Sequence, residues 1–238
     1  MIAQETILLA GTAATLGFVH TVLGPDHYLP FVAMAKARNW SRAKTVAITA
    51  VCGIGHVASS VVLGFIGILA GAAVFRLEAL EAIRGNLAGW LLLAFGFAYF
   101  LWGLRRALRN RPHDHAHRHA DGTVHTHTHR HQTAHAHVHA GANSDTLTPW
   151  VLFTIFVLGP CEPLIPLIMY PAAQASLAAV AAVALVFSAV TIATMVTLVL
   201  GACFGLSRIP FPHAERYAHA LAGLAILLCG GAIQFLGL

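Results

Sequence analysis

Charge is what this chain has least of. Only 14 of its 238 residues are Lys or Arg and 9 are Asp or Glu, 10% in all, where soluble domains carry about 25%. Hydrophobic residues reach 58% and mean hydropathy is +0.73. That balance excludes a soluble domain of appreciable size. The expectation is an all-α polytopic membrane protein, with the bilayer as its main partner.

Other absences narrow the function. No Gly-x4-Gly-Lys-Ser/Thr occurs, which argues against direct ATP coupling. The cysteines Cys52, Cys161, Cys203 and Cys229 form no Cys-x-x-Cys pair, and all but Cys161 read as small buried hydrophobes. Residues 1–6 lack the basic region of a cleaved signal peptide, so the first span is expected to stay in the protein. The net charge of +5 comes from short loops, where basic residues set topology and do not point to nucleic acid. No catalytic residue set emerges, and a non-enzymatic protein is expected.

What is there is apolar run after apolar run, several reaching the ~20 residues that cross a bilayer as helix. Six spans are expected near 6–35, 44–74, 86–108, 148–171, 175–206 and 215–238. The first, second and fifth are longer than needed, so they should tilt, break or project. Lys36, Arg38, Arg42 and Lys44 follow the first span, Arg105, Arg106, Arg109 and Arg111 the third, and Arg208 and Arg216 the fifth. The opposite side carries Arg76 and Arg84, matched by Glu78 and Glu81. The positive-inside rule then places both termini outside and the long middle loop in the cytoplasm, most naturally in a bacterial inner (plasma) membrane.

That middle loop, 109–147, holds His113, His115, His117, His119, His125, His127, His129, His131, His135, His137 and His139. With almost no bulky apolar residues it cannot bury a core, so disorder is expected when it is metal-free. Alternating His-x-His in an extended chain suits capture of a soft or borderline divalent cation.

The flanking segments, 1–108 and 148–238, repeat each other. Val22-Leu-Gly-Pro-Asp-His-Tyr-Leu29 aligns with Val157-Leu-Gly-Pro-Cys-Glu-Pro-Leu164, and Met34 then falls on Met169. Ser60-Val-Val-Leu-Gly64 resembles Thr197-Leu-Val-Leu-Gly201, and Leu87-Ala-Gly89 matches Leu221-Ala-Gly223. A repeat of three spans is odd in number, so the second copy must be inverted. The expected architecture is therefore two inverted three-helix repeats, each with a broken first helix. Such breaks at matching positions point to a substrate site at the repeat interface.

The repeat also says which residues to weigh. Ionisable groups in a span are costly and functional by default. Asp26 and His27 correspond to Cys161 and Glu162, each pair following a Leu-Gly-Pro break. His20 precedes the first break, and Gly53-Ile-Gly55-His56 adds an imidazole in the second span. The candidate metal ligands are His20, Asp26, His27, His56, Cys161 and Glu162. Glu162 has an alternative role as proton carrier or as a partner orienting an imidazole. Imidazole, carboxylate and thiolate suit a first-row divalent cation better than Mg²⁺ or Ca²⁺.

This stretch resembles the signature of the nickel/cobalt transporter family, including the NicO group, urease-accessory-like permeases and nickel/cobalt efflux proteins. The family carries His-x4-Asp-His in one helix and a Gly-His-Ser-type motif in the next. By position His20, Asp26 and His27 match the first motif and Gly55-His56 the second. Five residues separate His20 from Asp26 here, and Val57 follows the Gly-His pair. The resemblance implies a transporter of Ni²⁺ or Co²⁺, with Zn²⁺ as a further substrate and no permanently bound cofactor. The His-rich loop resembles the efflux branch.

Three other readings compete. Gly159-Pro160-Cys161 resembles membrane-embedded thiol-disulfide electron carriers, but those need a second sulfur where this chain has Asp26. Anion export would ask for Arg or Lys facing the site, and none is expected at mid-depth. A non-transporting metal accessory protein is the third. Metal identity, direction, coupling ion and oligomeric state are not written in the sequence.

Overall fold

Proline and glycine punctuate the apolar runs, and the helices stop where they do. The computed structural model describes residues 2–109, 113–118, 124–129, 144–174, 176–208 and 215–236. Helix α1, Ile2–Leu23, ends before Gly24-Pro25; a 3₁₀ turn, Pro25–His27, leads into α2, Leu29–Ala37. Ser41 then caps α3, Arg42–Leu69, accepting from the Lys44 amide at 3.2 Å. That satisfies one of the donors a helix N-terminus leaves open. Gly71, at φ +62°, turns the chain into α4, Val74–Arg109.

Beyond the middle loop come α5, Ser144–Leu158, and α6, Leu164–Ala173, separated by residues 159–163, which begin with Gly159-Pro160. Helices α7, Leu177–Ser207, and α8, Ala218–Leu236, follow, the latter preceded by a 3₁₀ turn, Glu215–Tyr217. Five of these helices (α1, α3, α4, α7 and α8) are long and apolar enough to cross a membrane, while α5 and α6 are shorter apolar pieces. Large apolar side chains cover the outside: Leu69, Ile7, Leu185 and Leu228 are each more than 60% exposed. Surface of that kind belongs against lipid. The fold is that of a polytopic all-α membrane protein.

One boundary differs from expectation for a physical reason. Residues 76–84, with two arginines and two glutamates, were expected outside the third span, which starts near 86 by apolar run length. They form the first turns of α4 instead, because Glu81 is fully buried and paired inside the protein. Hydropathy alone cannot anticipate charges that neutralise one another.

Within the histidine-rich stretch, strands β1, His113–Arg118, and β2, Val124–His129, pair antiparallel. His113 stands opposite His129, His115 opposite His127 and His117 opposite His125. His119, His131, His135, His137 and His139 lie outside the described residues.

The two halves exchange packing partners. Helix α1 lies against α7, α5 against α3 and α2 against α8; α6 lies mainly against α7 of its own half and also touches α3 and α4; α3 meets α7 and α4 meets α8. The α4–α8 pair is the tightest, with backbones in near contact. A Cβ on Gly230 would sit 2.6 Å from the Leu93 amide nitrogen, so only glycine allows this approach. Two buried apolar clusters result. One, around Phe31, Met34, Phe156, Met195 and Ile226, fills the end nearer the α2–α3 connection. The other, around Val57, Leu164, Ile168, Val183 and Phe187, fills the opposite end.

Candidate metal centre

Between these clusters the first helix break folds two histidines together. In a continuous helix His20 and His27 would stand about 10 Å apart along the axis, at 1.5 Å per residue. Here the Gly24 amide donates to the His20 carbonyl at 3.0 Å, and the chain then turns. The His27 amide closes onto the Gly24 carbonyl at 3.1 Å. The His27 ring thereby swings back, its centroid 4.6 Å from that of His20. Residue 24 must be glycine for this, since a Cβ there would lie 2.8 Å from His27 Cε1.

Helix α3 brings the third imidazole. The His56 centroid lies 5.1 Å from His27 and 6.3 Å from His20. One nitrogen from each ring falls within 4.8 Å of the others, the one such cluster of three potential ligands among the described residues. Gly55 admits α5 beside it, because a Cβ there would meet Phe153 and Val157 at 2.8 Å.

Hydrogen bonds orient the rings. His27 Nδ1–H donates to the Gly24 carbonyl and to Asp26 Oδ1, both at 3.1 Å. His56 Nδ1–H donates to the Phe156 carbonyl at 3.3 Å. These bonds place a proton on Nδ1 of each of the two rings and turn Nε2 inward, which in the neutral imidazole is the tautomer a metal ligand requires. Both Nε2 atoms are buried without a hydrogen-bond partner. Leaving a buried polar atom unsatisfied costs about 1–3 kcal/mol. Donors around a tetrahedral ion bonded at ~2.0–2.1 Å lie ~3.4 Å apart, so small ring rotations would close the three onto one cation.

The second break supplies the sulfur. Cys161 is fully buried, with Sγ 4.0 Å from His20 Nε2. The expected ligands therefore separate. His20, His27 and His56 converge, with Cys161 beside them. Asp26, with its side chain 30% exposed, is placed behind His27 Nδ1. Glu162 is exposed and outside the cluster, because the short turn before α6 points successive residues to opposite sides.

Two residues that sequence reasoning assigned to a loop lie next to this centre. Glu81 Oε2 accepts from the Cys161 amide at 2.9 Å and from Ser60 Oγ at 3.0 Å. Arg84 Nη1 pairs with Glu81 Oε1. Arg84 Nη2 donates to Ser59 Oγ at 2.6 Å and to the Val157 and Gly159 carbonyls at 2.8 and 3.4 Å. The pair satisfies both ends of the broken helix: carbonyls at the end of α5 and the amide that precedes α6. The i, i+3 spacing of Glu81 and Arg84 was the available signal. Arg84 is thus a largely buried cation within α4, next to the candidate centre. Its charge is spent on Glu81 and on carbonyls.

The chain matches no protein-family model, no curated protein and no solved structure.

Proposed function

We propose that the protein is a transition-metal cation transporter with Ni²⁺ or Co²⁺ as its substrate, exporting metal by alternating access between two inverted three-helix halves. The observation that carries this reading is the pair of buried, unpartnered Nε2 atoms of His27 and His56, each with its Nδ1 tied back by a hydrogen bond. Three imidazoles with a thiol alongside suit a borderline first-row cation. Unpaired donors at the centre of a membrane bundle are costly unless a ligand visits them.

The exchange of packing partners between halves supports the inverted repeat, with α5 and α6 together as a broken fourth span matching α1 and α2. Two interrupted helices meeting beside the ligands is the arrangement secondary transporters use. The two apolar clusters on either side of the histidines then act as alternating barriers. The histidine-rich segment would gather metal on the cytoplasmic side and feed it to the centre. A thiol-disulfide carrier is less favoured: all four cysteines are free, and Cys161 faces His20.

Cellular metal content tests the reading. Cells expressing the protein in nickel- or cobalt-supplemented medium should hold less of that metal than cells expressing His56→Ala at equal level. More metal would reverse the direction, and equal content would refute transport.

A further inference from the structure

A buried ion pair inside a membrane bundle is unusual enough to ask what it holds shut. Glu81 is fully buried and Arg84 one-fifth exposed. Their partner Ser60 lies one helical turn, about 6 Å, beyond His56 toward the α3–α4 connection. The pair gathers α3 through Ser59 and Ser60, and the α5–α6 break through Val157, Gly159 and Cys161. Gly85, next along α4, packs on the Pro160 ring, where a Cβ would lie 2.7 Å from Cγ. Three elements that must separate for the centre to open on that side are fastened by one carboxylate and one guanidinium.

We propose that Glu81 and Arg84 are positioning residues that hold Cys161 against His20 and form the polar lock of the gate on the α3–α4 side of the metal centre. This rests on the metal-site reading, which it deepens. On that side the apolar cluster of Val57, Leu164, Ile168 and Phe187 excludes water. The ion pair fixes the register of α4 against the break. Opening toward the α3–α4 connection requires Arg84 to leave the Val157 and Gly159 carbonyls. The freed carbonyls would then line the opened path and offer oxygen to a passing cation. On the opposite side the barrier is the cluster around Phe31 and Phe156.

Cys161 is a built-in reporter. The full-length protein would be treated with a membrane-impermeant maleimide in whole cells and in inverted vesicles, and modification of Cys161 read by peptide mass spectrometry. In the native chain, whose gates open alternately and briefly, Cys161 should react only slowly from either side. In Arg84→Gln it should react about tenfold faster or more, because breaking a buried ion pair strongly favours opening, and only from the side bearing the α3–α4 connection. Arg84→Lys should fall between the two. An unreactive Cys161 in Arg84→Gln, or equal reaction from both sides, would overturn the proposal. Simultaneous labelling of Cys52 and Cys229 would mark a variant that has come apart. Glu81→Gln, which keeps an oxygen for the Cys161 amide and removes the charge, then decides by the same criterion. Protection of Cys161 by added Ni²⁺ in Arg84→Gln is scored separately. Its absence counts against the metal reading alone, since side-selective labelling stands without it.

Discussion

Asp26 sits where a carboxylate can act on a metal without touching it. Its Oδ1 lies 3.1 Å from His27 Nδ1, on the ring nitrogen facing away from the cluster. A carboxylate there sharpens the ring's orientation and raises the basicity of Nε2. Asp26→Asn keeps the volume and an oxygen acceptor but removes the charge. Such partners are worth ~10- to 100-fold in metal affinity, or about 1.4 to 2.7 kcal/mol. His27 would keep its 3.1 Å bond to the Gly24 carbonyl, so the tautomer survives and the expected loss is near the lower end, about tenfold. Co²⁺ titration of the purified chain, followed by absorption, gives the measurement. A sulfur-to-cobalt charge-transfer band reports Cys161 and hence the intramembrane centre, because residues 109–147 contain no cysteine. Cys161→Ser should erase that band. Unchanged cobalt affinity in Asp26→Asn would refute the reasoning. So would a loss as complete as that of His27→Ala, which would make Asp26 a ligand in its own right.

Two further outcomes follow from other parts of the structure. Gly230→Val should lower the thermal unfolding midpoint in detergent by an amount equivalent to at least ~1–3 kcal/mol, since its Cβ would press on the Leu93 backbone; an unchanged midpoint would contradict the close α4–α8 contact. Deleting residues 113–139 should raise cytosolic nickel or cobalt if that segment feeds export, and lowered or unchanged metal would contradict that role.

The breaks were the most legible part of the sequence. Gly24-Pro25 and Gly159-Pro160 remove a donor and loosen the helix wherever they occur, so local chemistry alone locates the Pro25–His27 turn and the gap before Leu164. His20, His27 and His56 stood out because imidazoles are rare in apolar runs. Their convergence was harder to see, since a seven-residue spacing in an intact helix separates two rings that the 3₁₀ turn folds together. Asp26 and His27 read as equivalent neighbours, yet the turn puts one behind the other. Glu162 was drawn in by alignment with His27, and the Pro163 turn aims it outward. Glu81 and Arg84 were missed for the opposite reason. In sequence they look like a solvated charge pair at a span's edge, and only tertiary contact with the α5–α6 break takes them inside.

Flux into proteoliposomes loaded with a metal-sensitive dye, scanning Ni²⁺, Co²⁺, Zn²⁺, Cu²⁺ and Mn²⁺, decides between transport and mere binding. The native protein should move Ni²⁺ or Co²⁺ in preference to the others. His27→Ala should stop that movement while leaving the histidine-rich segment able to bind metal. Flux that is absent for every metal, or that survives His27→Ala unchanged, would contradict a transport site built on His20, His27 and His56.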